Sequence, residues 1–432
     1  MKNKFIEGGY VRMRMATICK RIAVITIITL VVGFALMLVA YALPVGRMKN
    51  NIAESHEIFN YEGQYPQITQ GFKSMQLDNY TDALMYATAI HPGNGNLIKD
   101  ALNNARYEYK DTNMTQSLND YANNVVSKEE QKYEMTYSRY WHGYLVVLKP
   151  LLLFFNVSEI RMINMIMQGT FFIGLLHLVR KRIGEKYQLP YIAMIFVLNP
   201  IVLPLSLQFS WVFYIGILGT LGILIPKDIQ LKQRYILGFW IIGMLTSYMD
   251  LLTYPVFTYG LPLITLLLLC KNEGWRKHIN YIVASGIAWG LGYAIMWIGK
   301  WVFTWIFGSD AIFKDVMDRI SLRASTIGYD MEELSTITVL NKNISVLMKW
   351  PYLLLLLIIV LALCLVKKMS SVKMQLERTI PYIMIAVIPI VWLVVKSNHS
   401  YVHYWFTFRE LSITIMAVIV GIMESMAGEE GI

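Results

Sequence analysis

Long apolar runs alternate along this chain with short basic segments and two longer polar stretches. A crossing helix needs roughly 20 mostly apolar residues, and the first such run covers residues 22–43. Lys2, Lys4, Arg12, Arg14, Lys20 and Arg21 crowd its front. Basic residues beside a span stay cytoplasmic, so the polar stretch that follows, 44–142, is expected outside. Ala40-Tyr41-Ala42 has the form of a signal-cleavage site. The apolar run, however, is longer than the roughly 7–15 residues of a signal h-region, so an uncleaved signal anchor is the expectation.

Further runs continue the alternation. Residues 144–155 are apolar but short and carry Lys149-Pro150, which predicts an interfacial or re-entrant helix. Residues 163–179 return to Arg180-Lys181-Arg182. Residues 191–205 and 207–225 pair out and in, broken at Asn199-Pro200 and Pro204. Residues 235–249 and 252–270 form a second pair, hinged at Asp250 and Pro255. Residues 279–307 are long enough to tilt. After a second outer loop, 352–366, 380–395 and 408–423 complete about ten crossings, with both termini cytoplasmic.

The fold expected is an all-α polytopic membrane bundle. It divides into a basic cytoplasmic N-terminus (1–21), a first span (22–43), outer loop one (44–142), a first part of the bundle (143–307), outer loop two (308–349), and a last part with a short acidic tail (350–432). Proline in a span removes a backbone donor and bends or breaks the helix. Such breaks survive where protein or a wet cavity satisfies the freed groups. Pro200, Pro204 and Pro255 lie in outer halves, so either an outward cavity or simple packing kinks would account for them. The stretch from Gly286 to Gly292, inside an apolar span, predicts close helix packing.

Composition sharpens the class. Hydrophobic residues make up 56% of the chain and charged residues 16%, which excludes a soluble multi-domain protein. The net charge of +10 sits in Arg180 to Lys186, Lys227 to Arg234, Lys271 to Lys277 and Lys367 to Arg378. That is the positive-inside pattern and calls for no nucleic acid. Cys19, Cys270 and Cys364 all fall at cytoplasmic span ends, so no disulfide framework is expected outside.

Ionisable residues sort to one side. Asp78, Asp82, His91, Arg139, His142, Asp250, Asp310, Asp315, Arg319, Arg323, His399, His403 and Arg409 map outward, against His177, His278 and Asp228 inward. A transporter would place such groups near the midplane, and the mid-span positions are almost free of them. Residues 72–90 predict a helix without Gly or Pro, on which Ser74, Asp78, Asp82 and Tyr86 share one face. Two carboxylates at that spacing can raise one another's pKa and supply a general base; the same residues also suit a solvated face. Arg139 and His142 stand where the loop re-enters the membrane, at the depth of an anionic headgroup. Asp250 either caps the next helix or serves the site. Lys396 to Arg409 packs His399 and His403 among cations, a set suited to phosphate more than to a metal. Walker loops, Gly-x-Ser-x-Gly elbows and Cys-x-x-Cys pairs are lacking.

This layout resembles the GT-C superfamily of glycosyltransferases: many spans, a long outer first loop with acids, and interfacial helices. Arg139-Tyr-Trp-His142-Gly and the His399 to Arg409 segment are similar to strings in functionally unassigned bacterial membrane proteins. The resemblance implies an inverting transferase in the bacterial plasma membrane with its active face outward. Its donor would be a polyprenyl-phosphate-linked sugar, its acceptor an envelope glycan or lipid, and membrane lipids its surroundings. Asp82 or Asp78 would match the loop-one acid, and Arg139, Arg319, Arg323 or Arg409 the cations that hold donor phosphate. His142, Asp250, His399 and His403 complete the expected binding set. No cofactor is demanded, although a divalent metal is compatible with the superfamily; its members often carry two acids one residue apart, whereas here they are four apart. An envelope-glycan polymerase or ligase and a lipid or glycan transporter are the alternatives.

Overall fold

A computed structural model of the protein describes residues 2–226, 234–308, 311–328, 333–369 and 375–426. Asp228, Asp310, most of the basic segment 227–234 and the acidic tail lie outside the described residues. The described residues are mostly helical. In order come α1 (Lys2–Tyr41), α2 (Val45–Ala53), α3 (His56–Glu62), α4 (Asn79–Ala89), α5 (Leu97–Asn103), α6 (Met114–Ala122), α7 (Leu145–Leu152), α8 (Val157–Arg182), α9 (Gln188–Leu198) and α10 (Leu207–Leu224). Then follow α11 (Arg234–Met249), α12 (Val256–Leu269), α13 (Trp275–Phe307), α14 (Ile312–Ala324), α15 (Thr336–Ser345), α16 (Trp350–Met369), α17 (Ile380–Val395), α18 (Ser397–Val402), α19 (Tyr404–Thr407) and α20 (Leu411–Met426). Loop one adds a two-stranded antiparallel ribbon, β1 (Arg106–Tyr109) with β2 (Lys132–Met135), in which Arg106 faces Met135.

Among the described residues, six helical segments are long and apolar enough to cross a membrane: Ala16–Tyr41, Val157–Arg182, Leu207–Leu224, Trp275–Phe307, Leu376–Val395 and Tyr404–Met426. A seventh crossing arises if Thr336–Ser345 and Trp350–Ala362, bent by 85°, act as one. These mark an integral membrane protein. The ten expected crossings are therefore not all long helices: α9 has 11 residues, α11 has 16 and α12 has 14. For α12 the reason is burial. Nearly all of α12 is enclosed by neighbours, and an element surrounded by protein is apolar all round whether or not it spans. By contrast Val24, Ile27, Val31 and Val39 on α1, and Val283, Ile287 and Leu291 on α13, are exposed at helical spacing, as a lipid-facing belt requires.

Glycine lets α11 and α13 meet backbone to backbone. A Cβ on Gly243 would lie 2.1 Å from Trp289 O, and one on Gly292 would lie 2.3 Å from Trp240 O. The predicted close packing is thus real and reciprocal.

Two buried lysines tie loop one to the bundle. Lys149 Nζ on α7 donates to Ala89 O at the end of α4, at 2.7 Å. Lys300 Nζ on α13 donates to Leu102 O near the end of α5, at 2.7 Å. Helix C-termini carry orphan carbonyls and partial negative charge, so each lysine seats a loop-one helix by its end. Arg161 of α8 adds a paired contact to Glu62, at 2.7 and 2.9 Å.

Candidate functional site

The helix predicted over 72–90 begins only at Asn79, after a short 3-10 turn at Lys73–Met75. Asp78 is its N-cap: Oδ1 accepts from Thr81 N at 3.0 Å and Oδ2 from Thr81 Oγ1 at 3.1 Å. Capping replaces the expected shared face, because an Asp in non-helical backbone satisfies an orphan amide better than it propagates the helix. Asp78 and Asp82 consequently point to different neighbours.

Asp78 looks into a cavity of about 570 Å³. Loop one supplies Tyr65, Asp78, Tyr80, Thr81, Arg106, Tyr137 and Arg139. The second polar loop supplies Arg319 and Arg323, and the turn between α17 and α20 supplies Asn398, His399, His403 and Phe406. Gln208, at the start of α10, and Leu251 close the floor. Six of the ten site residues expected from sequence therefore come together: Asp78, Arg139, Arg319, Arg323, His399 and His403.

The other four stand behind the wall and hold it. Asp82 is buried; its Oδ1 accepts from Ser206 Oγ at 3.1 Å and Gln208 N at 3.0 Å, and its Oδ2 from Leu207 N at 2.9 Å. It thus caps α10. Arg409 donates from Nε to Leu198 O at 3.1 Å and from Nη2 to Ser74 O at 3.3 Å, covering the end of α9. Between these two helices Asn199 adopts φ +66°, and the chain breaks. An acid at the helix start and a cation at the helix end are what the two half-helix dipoles favour. Asp250 accepts Thr253 N with both oxygens at 3.0 Å. His142, at φ +55°, donates from Nε2 to Tyr137 O at 3.0 Å and accepts the Tyr144 hydroxyl at 2.8 Å.

The cavity is strongly cationic. Arg106 pairs with Glu108, and Arg139 Nη1 reaches both Asp315 oxygens at 3.0 and 2.8 Å. Arg319 and Arg323 have no carboxylate partner among the described residues. Arg323 donates to His399 Nδ1 at 3.3 Å, while His399 Nε2 donates to Leu252 O at 2.9 Å. That bonding defines a neutral tautomer. Burial, then Arg323, holds His399 well below the usual imidazole range, and the same two causes push His403 down to about 3. Burial pushes Asp78 up to about 6 and Asp82 up to about 7.

Among the described residues, three buried polar atoms on the cavity wall lack any partner: Arg106 Nε, Gln208 Oε1 and His403 Nδ1. Buried polar groups are normally satisfied, and these three line the cavity as an Arg106 N–H donor, a Gln208 amide acceptor and a His403 ring nitrogen. Arg139, Arg319 and Arg323 also border an adjoining apolar cleft lined by Tyr140, Trp297, Trp301, Val316 and Ile320. The aromatic and amide residues Tyr65, Tyr80, Tyr137 and Gln208, and Arg106, are members that sequence reasoning missed. Only the alternation Arg106-Tyr-Glu-Tyr, a strand signal, hinted at one of them.

A metal fits poorly. Among the described residues no three His, Cys, Asp or Glu side chains converge, and both His399 nitrogens are committed to other partners. No known protein family, characterised protein or solved structure matches the chain.

Proposed function

We propose that the cavity transfers a sugar from a polyprenyl-phosphate donor to an envelope glycan or lipid acceptor on the outward face of a bacterial plasma membrane, as in the GT-C superfamily. The observation that carries this reading is one acid of raised pKa, Asp78, sharing a cavity with guanidiniums that border an apolar cleft. A lipid phosphate needs both surfaces at once: cations for its head and an apolar path for its chain. The tyrosines and unpartnered polar atoms suit a polyhydroxyl ring beside it.

In this mechanism Asp78 takes the acceptor hydroxyl's proton as the acceptor oxygen bonds to the anomeric carbon. The bond from that carbon to the phosphate oxygen breaks, and its electron pair leaves on the phosphate. Arg319 and Arg323 stand where that charge develops. A single displacement inverts the anomeric carbon. Burial keeps the site's field strong, and no step requires a metal.

A second reading, an envelope-glycan polymerase or ligase, is favoured by the cavity's four arginines and by the engagement of both Asp78 oxygens by Thr81. The test is transfer from a radiolabelled panel of polyprenyl-phosphate sugars to an envelope extract, using purified protein in lipid. The proposal expects product that disappears in Asp78→Asn. Product surviving in Asp78→Asn but lost in Arg323→Met selects the polymerase or ligase. No product from any donor, with the protein correctly inserted, refutes both.

A further inference from the structure

The opposite end of α13 carries a second, smaller cavity. The helix has 33 residues, roughly 50 Å at 1.5 Å per residue. Trp297 and Trp301 near its C-terminal end border the arginine-rich site, whereas Gly274 and Trp275 at its start line a pocket of about 100 Å³. Lys271, His278, Arg378, Tyr382 and Glu424 complete that pocket's wall.

Three features point to an anion. The N-terminus of α13 begins at Gly274, with φ +80°, and no side chain caps it. Its first amides are orphan donors at the positive end of a long helix dipole, a setting that binds phosphate. Lys271 and Arg378 bring positive charge to the same wall. Independently, Tyr382 is only 1% exposed, yet its hydroxyl has no partner among the described residues. A buried hydroxyl without a partner is costly and is relieved by a bound acceptor. Glu424, also in the wall, already accepts the Tyr187 hydroxyl, so that carboxylate is drawn toward Tyr187. The His278 Nε2 donates to Cys270 O at 3.0 Å and serves the turn.

We infer that this pocket binds a phosphate ester, held by the amides at the start of α13, Lys271, Arg378 and the Tyr382 hydroxyl. Its volume falls below the roughly 300–1,000 Å³ of sites that enclose a drug-sized ligand. It suits a phosphate with its first substituent, as in a phospholipid headgroup or a free phosphate. The pocket stands apart from the site of the proposed transfer.

The test uses the full chain in nanodiscs of phosphatidylglycerol or of phosphatidylcholine alone, with native mass spectrometry to count retained lipid. Inorganic phosphate is titrated separately against the detergent-purified protein, with melting temperature as the readout. Retention of phosphatidylglycerol, and more weakly of phosphatidylcholine, whose phosphate carries a neutralising choline, falling about tenfold in both Tyr382→Phe and Lys271→Gln, establishes a headgroup site. A phosphate-dependent rise in melting temperature, lost in the same variants without lipid preference, establishes a free-phosphate site. Tyr382→Phe changes no charge, so its effect is separable from general attraction between basic segments and an anionic bilayer. The unliganded Tyr382→Phe protein should melt no lower than wild type. Equal retention in wild type and both variants, or no response to either probe, overturns the inference.

Discussion

Asp78→Asn and Asp82→Asn separate two roles that neighbouring acids could share. Asn caps a helix about as well as Asp, so Asp78→Asn keeps the Thr81 amide bond and should change stability by less than about 1 kcal/mol. It removes the proposed base, which typically lowers rate by roughly 10²–10⁴-fold. Asp82 accepts three hydrogen bonds from Ser206, Leu207 and Gln208 in a dry setting. In Asp82→Asn the new amide group turns its donors toward at least one of those N–H groups. A buried donor left unsatisfied costs about 1–3 kcal/mol. Asp82→Ala strands all three donors and should cost more, a large share of a net stability of about 5–15 kcal/mol. Thermal melts in detergent and initial rates of transfer, run on the same preparations, read the two effects apart. Asp78→Asn should melt like wild type and be nearly inactive; Asp82→Asn should melt several degrees lower, with the remaining folded protein active. Wild-type transfer in Asp78→Asn, or lost transfer in Asp82→Asn at an unchanged melting temperature, would refute the assignment.

Further outcomes are expected from the same geometry. Because burial pushes Asp78 up to about 6 and the base must be ionised, transfer should rise with pH through about 6 and level off above it; a flat profile from pH 5 to 8 counts against Asp78. Burial also raises Asp82 to about 7 and Asp250 to about 6. Their folded forms hold protons more tightly than the unfolded chain, so this stabilisation is complete below about pH 4 and lost as pH climbs through 6 to 7. Asp82→Asn should flatten that part of a melting-temperature profile. Arg323→Met should raise KM for the lipid-phosphate donor roughly tenfold to a hundredfold, consistent with a lost charge-assisted bond, while a neutral soluble sugar should bind as before. Gly243→Ala places a Cβ 2.1 Å from Trp289 O and should prevent folding or cost several kcal/mol, whereas Gly290→Ala, with nothing within 4 Å, should be neutral or gain up to about 1 kcal/mol. Expression and melting temperature in detergent compare the pair.

What the sequence revealed of the site follows from a restriction that lipid imposes on charge. Ionisable groups avoid the apolar layer, so sorting them by side already gathered Asp78, Arg139, Arg319, Arg323, His399 and His403 from three separate segments. The same sorting could not tell a wall residue from the brace behind it. Asp82 is claimed by the start of α10, 125 positions away at Leu207, and Arg409 by the end of α9, 211 positions away at Leu198. Both serve one break, at Asn199 to Ser206, whose prolines were visible in the sequence but whose partners were not. Periodicity reports which residues share a face only once the helix start is known, and here the start lies at Asn79 because Asp78 caps it. Span counting met a related obstacle: α12 is apolar through enclosure by protein, and hydropathy registers enclosure and lipid alike. The break at 199–206 joins these points. A continuous helix there would bury the Gln208 and Leu207 amides in its own ladder, leaving Asp82 a dry carboxylate without its two amide donors. The proline-broken segment, the buried acid and the cavity floor at Gln208 therefore form one structural solution, so that restoring helix continuity at Pro204 should damage the site as surely as removing Asp82.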